Sequence, residues 1–262
     1  MEEITSASLE PAAPARWNGW RVTAVVLFGV AALYLVQLIV GAIIAIIVIV
    51  PQVQAHPQHL PNTQQLLIAM LNSPSLFVLS VSSESLMAFI AVALAMSSLG
   101  ASRQQLGMGR PFQASDLVIG VLAGCALIGI GDIVGSIQEH FFGAHQQQTV
   151  QIIMSHHGLG SFALDFISVA LVAGICEELM FRGVMFTALA QRMPVWTAAV
   201  LSGIAFGVAH ADKWSLAALS FVGIGLAVLF SRTRSIWPNM VAHTTFNAFS
   251  LVLIYFFPQF AK

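Results

Sequence analysis

The sequence predicts an all-α membrane protein, a polytopic bundle of seven or eight transmembrane helices. Hydrophobic residues make up 58% of the chain and charged residues only 8%, whereas soluble domains carry about 25% charged residues. The apolar stretches are continuous, as spanning helices of about 20 residues require, and lack the alternation of a membrane β-barrel. The chain is therefore expected in the lipid bilayer. A net charge of −1 gives no basic field for nucleic acid.

Seven apolar segments are candidate spans, and proline or glycine residues separate them. The segments are Val22–Val50, Ser75–Leu99, Leu117–Gln138, Phe162–Leu189, Val195–His210, Leu216–Phe230 and Ile236–Phe257. A shorter apolar piece, Gln65–Leu71, would be an eighth crossing or an interfacial helix. We divide the chain into a polar tail (1–21), a first group of transmembrane helices (22–160) and a last group (161–262) that contains the polar motifs.

The distribution of basic residues predicts the orientation. The loops after the first and third spans contain no lysine or arginine, whereas the tail and the second, fourth and sixth loops contain arginine. These arginines are Arg16, Arg21, Arg103, Arg110, Arg192, Arg232 and Arg234. The positive-inside rule places the N-terminus in the cytoplasm. The compact size favours a bacterial plasma membrane protein.

Three ionisable residues interrupt the fourth span in the stretch GICEELMFRG. Charge in a membrane helix costs several kcal/mol unless it is paired or used. Glu178 and Arg182 are four residues apart, so they share a helix face and can neutralise each other. Glu177 lies about 100° away around the helix. Its carboxylate therefore needs a different partner or a chemical role.

Two further polar motifs, FGVAH and HTTFN, lie in later spans. Glu177 comes 17 residues before Pro194 and His210 comes 16 residues after it. Residues equidistant from the turn of an antiparallel hairpin meet at one depth, here about 25 Å from the turn. Glu177 and His210 are thus predicted to face each other. His243 and Asn247 share one face of the last span and are predicted to join the same layer.

A glutamate, two histidines and an asparagine in a low-dielectric site are suited to hydrolysis. The carboxylate can take a proton from water, and imidazole and amide groups can donate to an oxyanion. Alternatively, Glu177, His210 and His243 can hold Zn²⁺ with water in the open position. The HExxH signature of single-helix zinc proteases is absent. The spacing leaves zinc and metal-free chemistry both open.

The ordered set EExxxR, FxxxH and HxxxN resembles the CPBP family, which groups type II CAAX prenyl proteases with bacteriocin-processing and immunity-type (Abi) proteins. The stretches EELMFR, FGVAH and HTTFN carry the resemblance, which covers about Ser161 to Phe257. It implies an intramembrane endopeptidase that cuts a membrane-associated protein or peptide, in CAAX-type or leader processing. The helices from residue 161 onward would be its catalytic part.

The same resemblance implies a role for each motif residue. Glu177 would be the general base, Glu178 its neighbouring carboxylate, and Arg182 the residue that completes the first motif. The residues expected to line the water or oxyanion site are His210, His243 and Asn247. We favour a glutamate-activated water, with zinc as the alternative. Phe206 is expected to pack one turn from His210.

Two other functions fit parts of the pattern. A non-catalytic membrane scaffold or bacteriocin-immunity protein would keep the fold without the chemistry. A transporter would show structural repeats with paired broken helices, whereas the polar set lies in one half of this chain only. We therefore rank the protease first and the transporter last.

The remaining polar residues have structural interpretations. Asp132 lies among glycines that permit close helix approach and is expected to make a helix-packing hydrogen bond. Asp116 and Asp165 lie near helix starts, where carboxylates are favoured. His156–His157 are expected to be polar loop residues. The tryptophans near span ends fit an interfacial belt: Trp17, Trp20, Trp196, Trp214 and Trp237.

Overall fold

A computed structural model describes residues 16–55, 73–145 and 147–260. Within these ranges the chain is helical and has no strand, which confirms the all-α class. The helices are α1 (Gly19–Ala55), α2 (Pro74–Ser98), α3 (Ala114–Phe142), α4 (Gln148–Met154), α5 (Gly158–Ala190), α6 (Val195–Ala209), α7 (Leu216–Thr233) and α8 (Ile236–Phe256), followed by a 3₁₀ turn at Pro258–Phe260. The predicted short helix Gln65–Leu71 lies outside the described residues.

Four helices within the described ranges are long and apolar enough to cross a membrane, namely α3, α5, α7 and the Val81–Ser98 part of α2. Two shorter apolar helical stretches are Leu38–Pro51 in α1 and the whole of α6. The last helix, α8, has 21 residues but contains the polar HTTFN motif. A helix thus lies at each of the seven predicted positions. The number of full crossings stays a prediction.

The region between the third and fourth spans contains a helix that the sequence did not indicate. Helix α4 has seven residues, and its Val150 and Ile153 are buried in a cluster with Ala170 of α5 and Leu251 of α8. The sequence predicted a loop between the third and fourth spans, and that prediction is wrong over Gln148–Met154. Apolar residues on one face of even two helical turns are enough for docking onto the bundle.

A buried hydrogen-bonded cluster follows α4. His156 Nδ1 lies 2.8 Å from Asp165 Oδ2, and the hydroxyl of Tyr255 donates to the same oxygen at 2.7 Å. The side chains of His156 and Asp165 have no exposed surface. His156 thus lies in a loop, as predicted, and its side chain is buried within this cluster. This cluster ties the beginning of α5 to the end of α8, the two helices that contain the first and third motifs.

Asp116 and Asp132, two of the three acidic residues of α3, differ in their contacts. Asp116 accepts a hydrogen bond from the Gln113 backbone N–H at 2.8 Å and one from Arg110 at 2.7 Å. It thus serves the helix N-terminus, as predicted. Asp132 is exposed and makes no hydrogen bond or ion pair with the described residues. The predicted helix-packing hydrogen bond of Asp132 is therefore wrong.

Part of the predicted polar tail, from residue 16 onward, lies within the described residues and contacts the bundle. The Trp17 side chain is only 3% exposed, and its backbone N–H donates to Gln191 Oε1 at 2.7 Å. Its indole N–H donates to Gln105 at 3.2 Å, and the helix that follows begins at Gly19. Trp17 therefore packs against the protein at the turn between α5 and α6.

Helix α5 changes its winding around the first motif. The stretches Phe166–Ala173 and Leu179–Phe186 are π-helical and flank the α-helical turn Gly174–Glu178. Such π segments occur frequently at functional sites. Gly174 lets α5 approach α8 closely, because a Cβ atom there would lie 2.9 Å from Thr244 Oγ1. Glu177 and Glu178 thus lie on a helical turn that packs closely against α8, the helix of the third motif.

Helices α6 and α7 form a tight hairpin that positions the second motif. A Cβ atom at Gly203 would lie 2.5 Å from the Ile224 side chain and 2.6 Å from its backbone nitrogen. A Cβ atom at Gly223 would lie 2.9 Å from the Gly203 Cα. The two backbones therefore touch where side chains are absent. This contact fixes the direction of α6, which ends at Ala209, directly before His210.

We predict that Gly203→Ala lowers the free energy of unfolding by about 1–3 kcal/mol, as overpacking does. The added methyl group would meet backbone atoms of α7, which cannot move aside as a flexible side chain does. The measurement is the midpoint of thermal unfolding in detergent. Gly129→Ala in α3 is the matched control, because a Cβ atom there meets nothing within 4 Å. Equal midpoints for the two variants would contradict the packing argument.

Candidate active site

Three motifs from α5, α6 and α8 meet around the carboxylate of Glu177. His210 Nε2 lies 4.0 Å from Glu177 Oε2, and His243 Nε2 lies 3.8 Å from the same oxygen. The hairpin spacing predicted that Glu177 and His210 face each other, and they do. The Glu177 side chain is 19% exposed and that of His210 is 31% exposed. The group is therefore partly open, unlike the network behind it.

The network behind Glu177 is centred on Glu178, which has no exposed surface. Its Oε1 accepts hydrogen bonds from Arg182 Nη1 at 2.8 Å and from His243 Nδ1 at 2.9 Å. Its Oε2 accepts one from Asn239 Nδ2 at 3.1 Å. Three donors thus neutralise and orient a single buried carboxylate, as a charge at membrane depth requires.

Arg182 is also fully buried and extends the network to the α6–α7 hairpin. Its Nη2 donates to the Gly223 carbonyl at 3.0 Å, and its guanidinium lies over the Phe206 ring, 4.7 Å from the centroid. The Phe206 ring also contacts His243 at a centroid distance of 5.4 Å. The predicted packing role of Phe206 is therefore observed, with a cation–π contact in addition.

The hydrogen bonds of the two histidines determine which nitrogen faces Glu177. His210 Nδ1 lies 2.8 Å from the Phe206 carbonyl oxygen. Because a carbonyl only accepts, this Nδ1 must have the hydrogen. His243 Nδ1 likewise donates to the Glu178 carboxylate. With both imidazoles neutral, each Nε2 would present its lone pair towards Glu177 Oε2, and three acceptor atoms would converge.

The third acceptor, Glu177 Oε2, is buried and has no hydrogen-bond partner within the described part of the chain. Three converging acceptors need an occupant that donates hydrogen atoms or has positive charge. A water molecule meets the first requirement, because it can donate two hydrogen bonds. The arrangement is thus suited to holding water against a carboxylate.

Asn247 is oriented differently from the other predicted residues. Its Nδ2 donates to the Val169 carbonyl at 2.8 Å, in the first π segment of α5, rather than to Glu177. An amide NH₂ group has two hydrogens, so this bond occupies one of them. Asn247 therefore fastens α8 to α5 one turn beyond His243 and keeps one donor for another partner.

The sequence analysis did not identify Asn239, which is fully buried. Its Nδ2 donates to Glu178 Oε2 and, at 2.7 Å, to the Leu226 carbonyl. A signal was present, because Asn239, His243 and Asn247 follow each other at four-residue intervals on one face of α8. The three side chains form a polar stripe along an otherwise apolar helix.

The residues proposed for zinc lie somewhat further apart than two ligands of one zinc ion do, and zinc binding by them stays a prediction. Two ligands of a tetrahedral zinc ion lie about 3.4 Å apart, given bonds of about 2.1 Å, whereas the distances from Glu177 to His210 and His243 are 4.0 and 3.8 Å. Within the described ranges, no group of three or more His, Cys, Asp or Glu residues is arranged to hold a metal ion. The mechanism below therefore uses no metal.

Comparisons with known proteins agree with the motifs. A family model of type II CAAX prenyl endopeptidases, described as Rce1-like, matches residues 159–249. A Bacillus subtilis (strain 168) protein named "Putative membrane peptidase YdiL" is 31% identical over 122 residues, which are 46% of this chain and 49% of the relative. The chain thus spans about half the length of the curated relative it matches. No solved structure matches.

All three motifs lie inside the segment that the family model matches. That segment contains the last part of the bundle, from the beginning of α5 to the middle of α8. The same segment provides Glu177, Glu178 and both histidines of the site. The two matches show that this part of the chain is similar to type II CAAX prenyl endopeptidases and to a relative named as a membrane peptidase.

Proposed function

We propose that the chain is an intramembrane endopeptidase in which Glu177 activates a water molecule. The observation that supports this most directly is the convergence of His210 Nε2 and His243 Nε2 on the unpartnered Oε2 of Glu177. A carboxylate with no competing donor is available as a proton acceptor. The partial exposure of Glu177 and His210 gives water a path to it.

In the proposed reaction, water donates one hydrogen to Glu177 and the other to an imidazole Nε2. As the water oxygen attacks the peptide carbonyl carbon, its proton moves to the Glu177 carboxylate. The carbonyl oxygen becomes an oxyanion, and the second amide hydrogen of Asn247 is the proposed donor to it. Glu177 then gives its proton to the leaving nitrogen, so that the carboxylate is regenerated.

Glu178 has a different proposed role from its neighbour. Its carboxylate is saturated by three donors and has no exposed surface, so it is not available to take a proton from water. By accepting from His243 Nδ1 it keeps the Nε2 lone pair of that imidazole towards Glu177. A carboxylate that accepts from one ring nitrogen fixes the tautomer and the orientation of the imidazole. Arg182 and Asn239 hold Glu178 in place.

The proposed substrate is a membrane-associated protein or peptide. A buried site in an integral membrane protein can reach bonds within or next to the bilayer only. The family match favours CAAX-type processing, and processing of a leader peptide is the alternative. A non-catalytic scaffold of the same fold would bind such a partner without cutting it, and the first experiment below separates these functions.

We expect Glu177→Gln to reduce peptide cleavage by about 10²–10⁴-fold, the usual contribution of a general base. The carboxamide keeps the shape but cannot accept a proton. The assay uses purified protein and a fluorescence-quenched peptide library. The thermal midpoint should not change, because Glu177 Oε2 makes no hydrogen bond with the described residues. Full retention of cleavage would exclude Glu177 as the base.

Glu178→Gln is the matched control for that experiment. It makes the same chemical change one residue along, but it leaves Arg182 buried without its charged partner. Breaking a buried pair costs about 3–5 kcal/mol, so this variant should lose stability, unlike Glu177→Gln. If both variants kept the parent's stability, the separation of roles between the two glutamates would be wrong.

Asn239 is expected to act as a positioning residue through Glu178. Asn239→Leu removes a buried donor, and we expect kcat to fall about tenfold with little change in KM. Asn239→Asp should be worse, because it places a second carboxylate beside Glu178. If Asn239 only filled space, the isosteric aspartate would be tolerated better than leucine. The order of kcat values among the three proteins is therefore the test.

Metal dependence is a separate experiment. With a glutamate-activated water, cleavage should be unchanged after prolonged dialysis against a strong chelator, with metal content measured by mass spectrometry. The protein dialysed in the same way without chelator is the control. Loss of cleavage with chelator, and its recovery on adding Zn²⁺, would replace the metal-free mechanism with one in which Glu177, His210 and His243 hold the ion.

A further inference from the structure

Helices α3 and α8 touch at one end and separate at the other. A Cβ atom at Gly120 would lie 2.4 Å from Val241, so the backbones are in close contact there. At Gly131 the nearest atom is 3.4 Å away, in the Phe246 ring, and at Gly135 no atom lies within 4 Å. The helices therefore diverge from the level of Phe246 towards the end of the bundle opposite the arginine-containing loops.

The space between the diverging helices is a cavity of about 750 Å³, within the usual range for ligand sites of about 300–1,000 Å³. Trp214, in the turn before α7, and Leu219 of α7 close one side of it. Two of its lining residues are close in sequence to residues of the candidate active site. Phe246 precedes Asn247, and Trp214 comes four residues after His210. We call this space the α3–α8 cleft.

The α3–α8 cleft has an acidic wall. Asp132 and Glu139 line it from one face of α3, and no lysine or arginine is among its described lining residues. The ammonium of Lys213 lies outside this lining, 4.8 Å from the centre of the Trp214 ring. Asp132 has no partner among the described residues. A carboxylate within an apolar span normally faces water, a cation or a substrate path.

Other lining groups fit the main chain and side chains of a peptide. Ser136, Gln138 and Ser250 provide hydrogen-bonding groups along the cleft, and the buried Oε1 of Gln138 has no partner within the described ranges. Phe246 provides an aromatic face, which attracts cations, whereas the Trp214 ring is stacked with His145 and contacted by Lys213. An anionic lipid headgroup is disfavoured, because its phosphate would meet two carboxylates.

We propose that the α3–α8 cleft binds an extended segment of a polypeptide substrate and that a lysine or arginine of this segment pairs with Asp132. The proposal rests on the proposed peptidase function and specifies its substrate class. The substrate is a membrane-associated polypeptide with a basic residue near the scissile bond. Phe246, which lines the cleft, directly precedes Asn247 in the sequence, so we expect a segment held there to reach the candidate catalytic layer.

The first test blocks the cleft. Gly135→Leu adds a side chain where a Cβ atom has open space and where the cleft is lined, so the fold should be retained. Gly129→Leu is the matched control on the same helix, because its Cβ atom also meets nothing within 4 Å and it does not line the cleft. Binding of a short fluorescent peptide with one central lysine is measured by anisotropy in the uncleaving Glu177→Gln background.

We expect Gly135→Leu to weaken binding of the lysine peptide about tenfold or more and Gly129→Leu to leave it unchanged. The second test removes the charge. The parent should bind the lysine peptide about tenfold more tightly than a twin with glutamine in that place, as for a charge-assisted hydrogen bond. Asp132→Asn should abolish this preference and leave binding of the glutamine peptide as it was.

Several results would overturn the proposal: no measurable binding of the lysine peptide, no preference for lysine over glutamine, or equal effects of the two leucine variants. The binding assay also separates this proposal from the peptidase. If the lysine peptide binds as expected but wild-type protein never cuts it, the cleft stands and the peptidase proposal fails. If the wild-type protein cuts peptides but Gly135→Leu does not weaken binding of the lysine peptide, the peptidase proposal stands and the cleft proposal fails.

Discussion

The buried ion pair of Glu178 and Arg182 is the constraint on which the rest of the site depends. Both side chains have no exposed surface, and a charge removed from water at this depth must be met by fixed partners. These partners come from three other helices: Asn239 and His243 on α8, the Gly223 carbonyl on α7 and the Phe206 ring on α6. One pair thus sets the relative positions of all the helices that contain the motifs.

That constraint also separates two adjacent glutamates into different functions. Glu178 faces the interior and has every oxygen engaged, whereas Glu177 points about a quarter turn away and meets only lone pairs. The same imidazole links them, because His243 donates from Nδ1 to Glu178 and presents Nε2 to Glu177. The stability of the network therefore preserves the geometry of the reactive carboxylate without engaging it.

Sequence reasoning succeeded where a single periodicity or a single turn determined the contact. The i,i+4 spacing predicted the Glu178–Arg182 pair, and equal distances from Pro194 predicted that Glu177 faces His210. It failed where contacts join segments far apart in sequence. Asn239 is 61 residues from its partner Glu178, and it was overlooked although it shares the helical stripe of His243 and Asn247.

The burial of His156 was not predicted either. It depends on helix α4, and the polar residues that flank this short helix resemble a loop. Asp132 was misjudged for a related reason. Its glycine-rich surroundings indicate close packing, yet the helices are already separating there. In each of these cases the local pattern was correct and the tertiary contact decided the outcome.

The short length of α6 connects the candidate active site with the α3–α8 cleft. Fifteen residues form a helix of about 22 Å, shorter than a hydrocarbon core of about 30 Å. We therefore expect its end at His210 to lie at membrane depth. His210 is followed by Ala211, with a φ of 53°, and by a non-helical turn. Irregular backbone at that depth is tolerated where it is buried in protein or lines a polar cavity. The short helix thus connects His210 of the candidate active site, through the turn that follows, with Trp214 in the lining of the α3–α8 cleft.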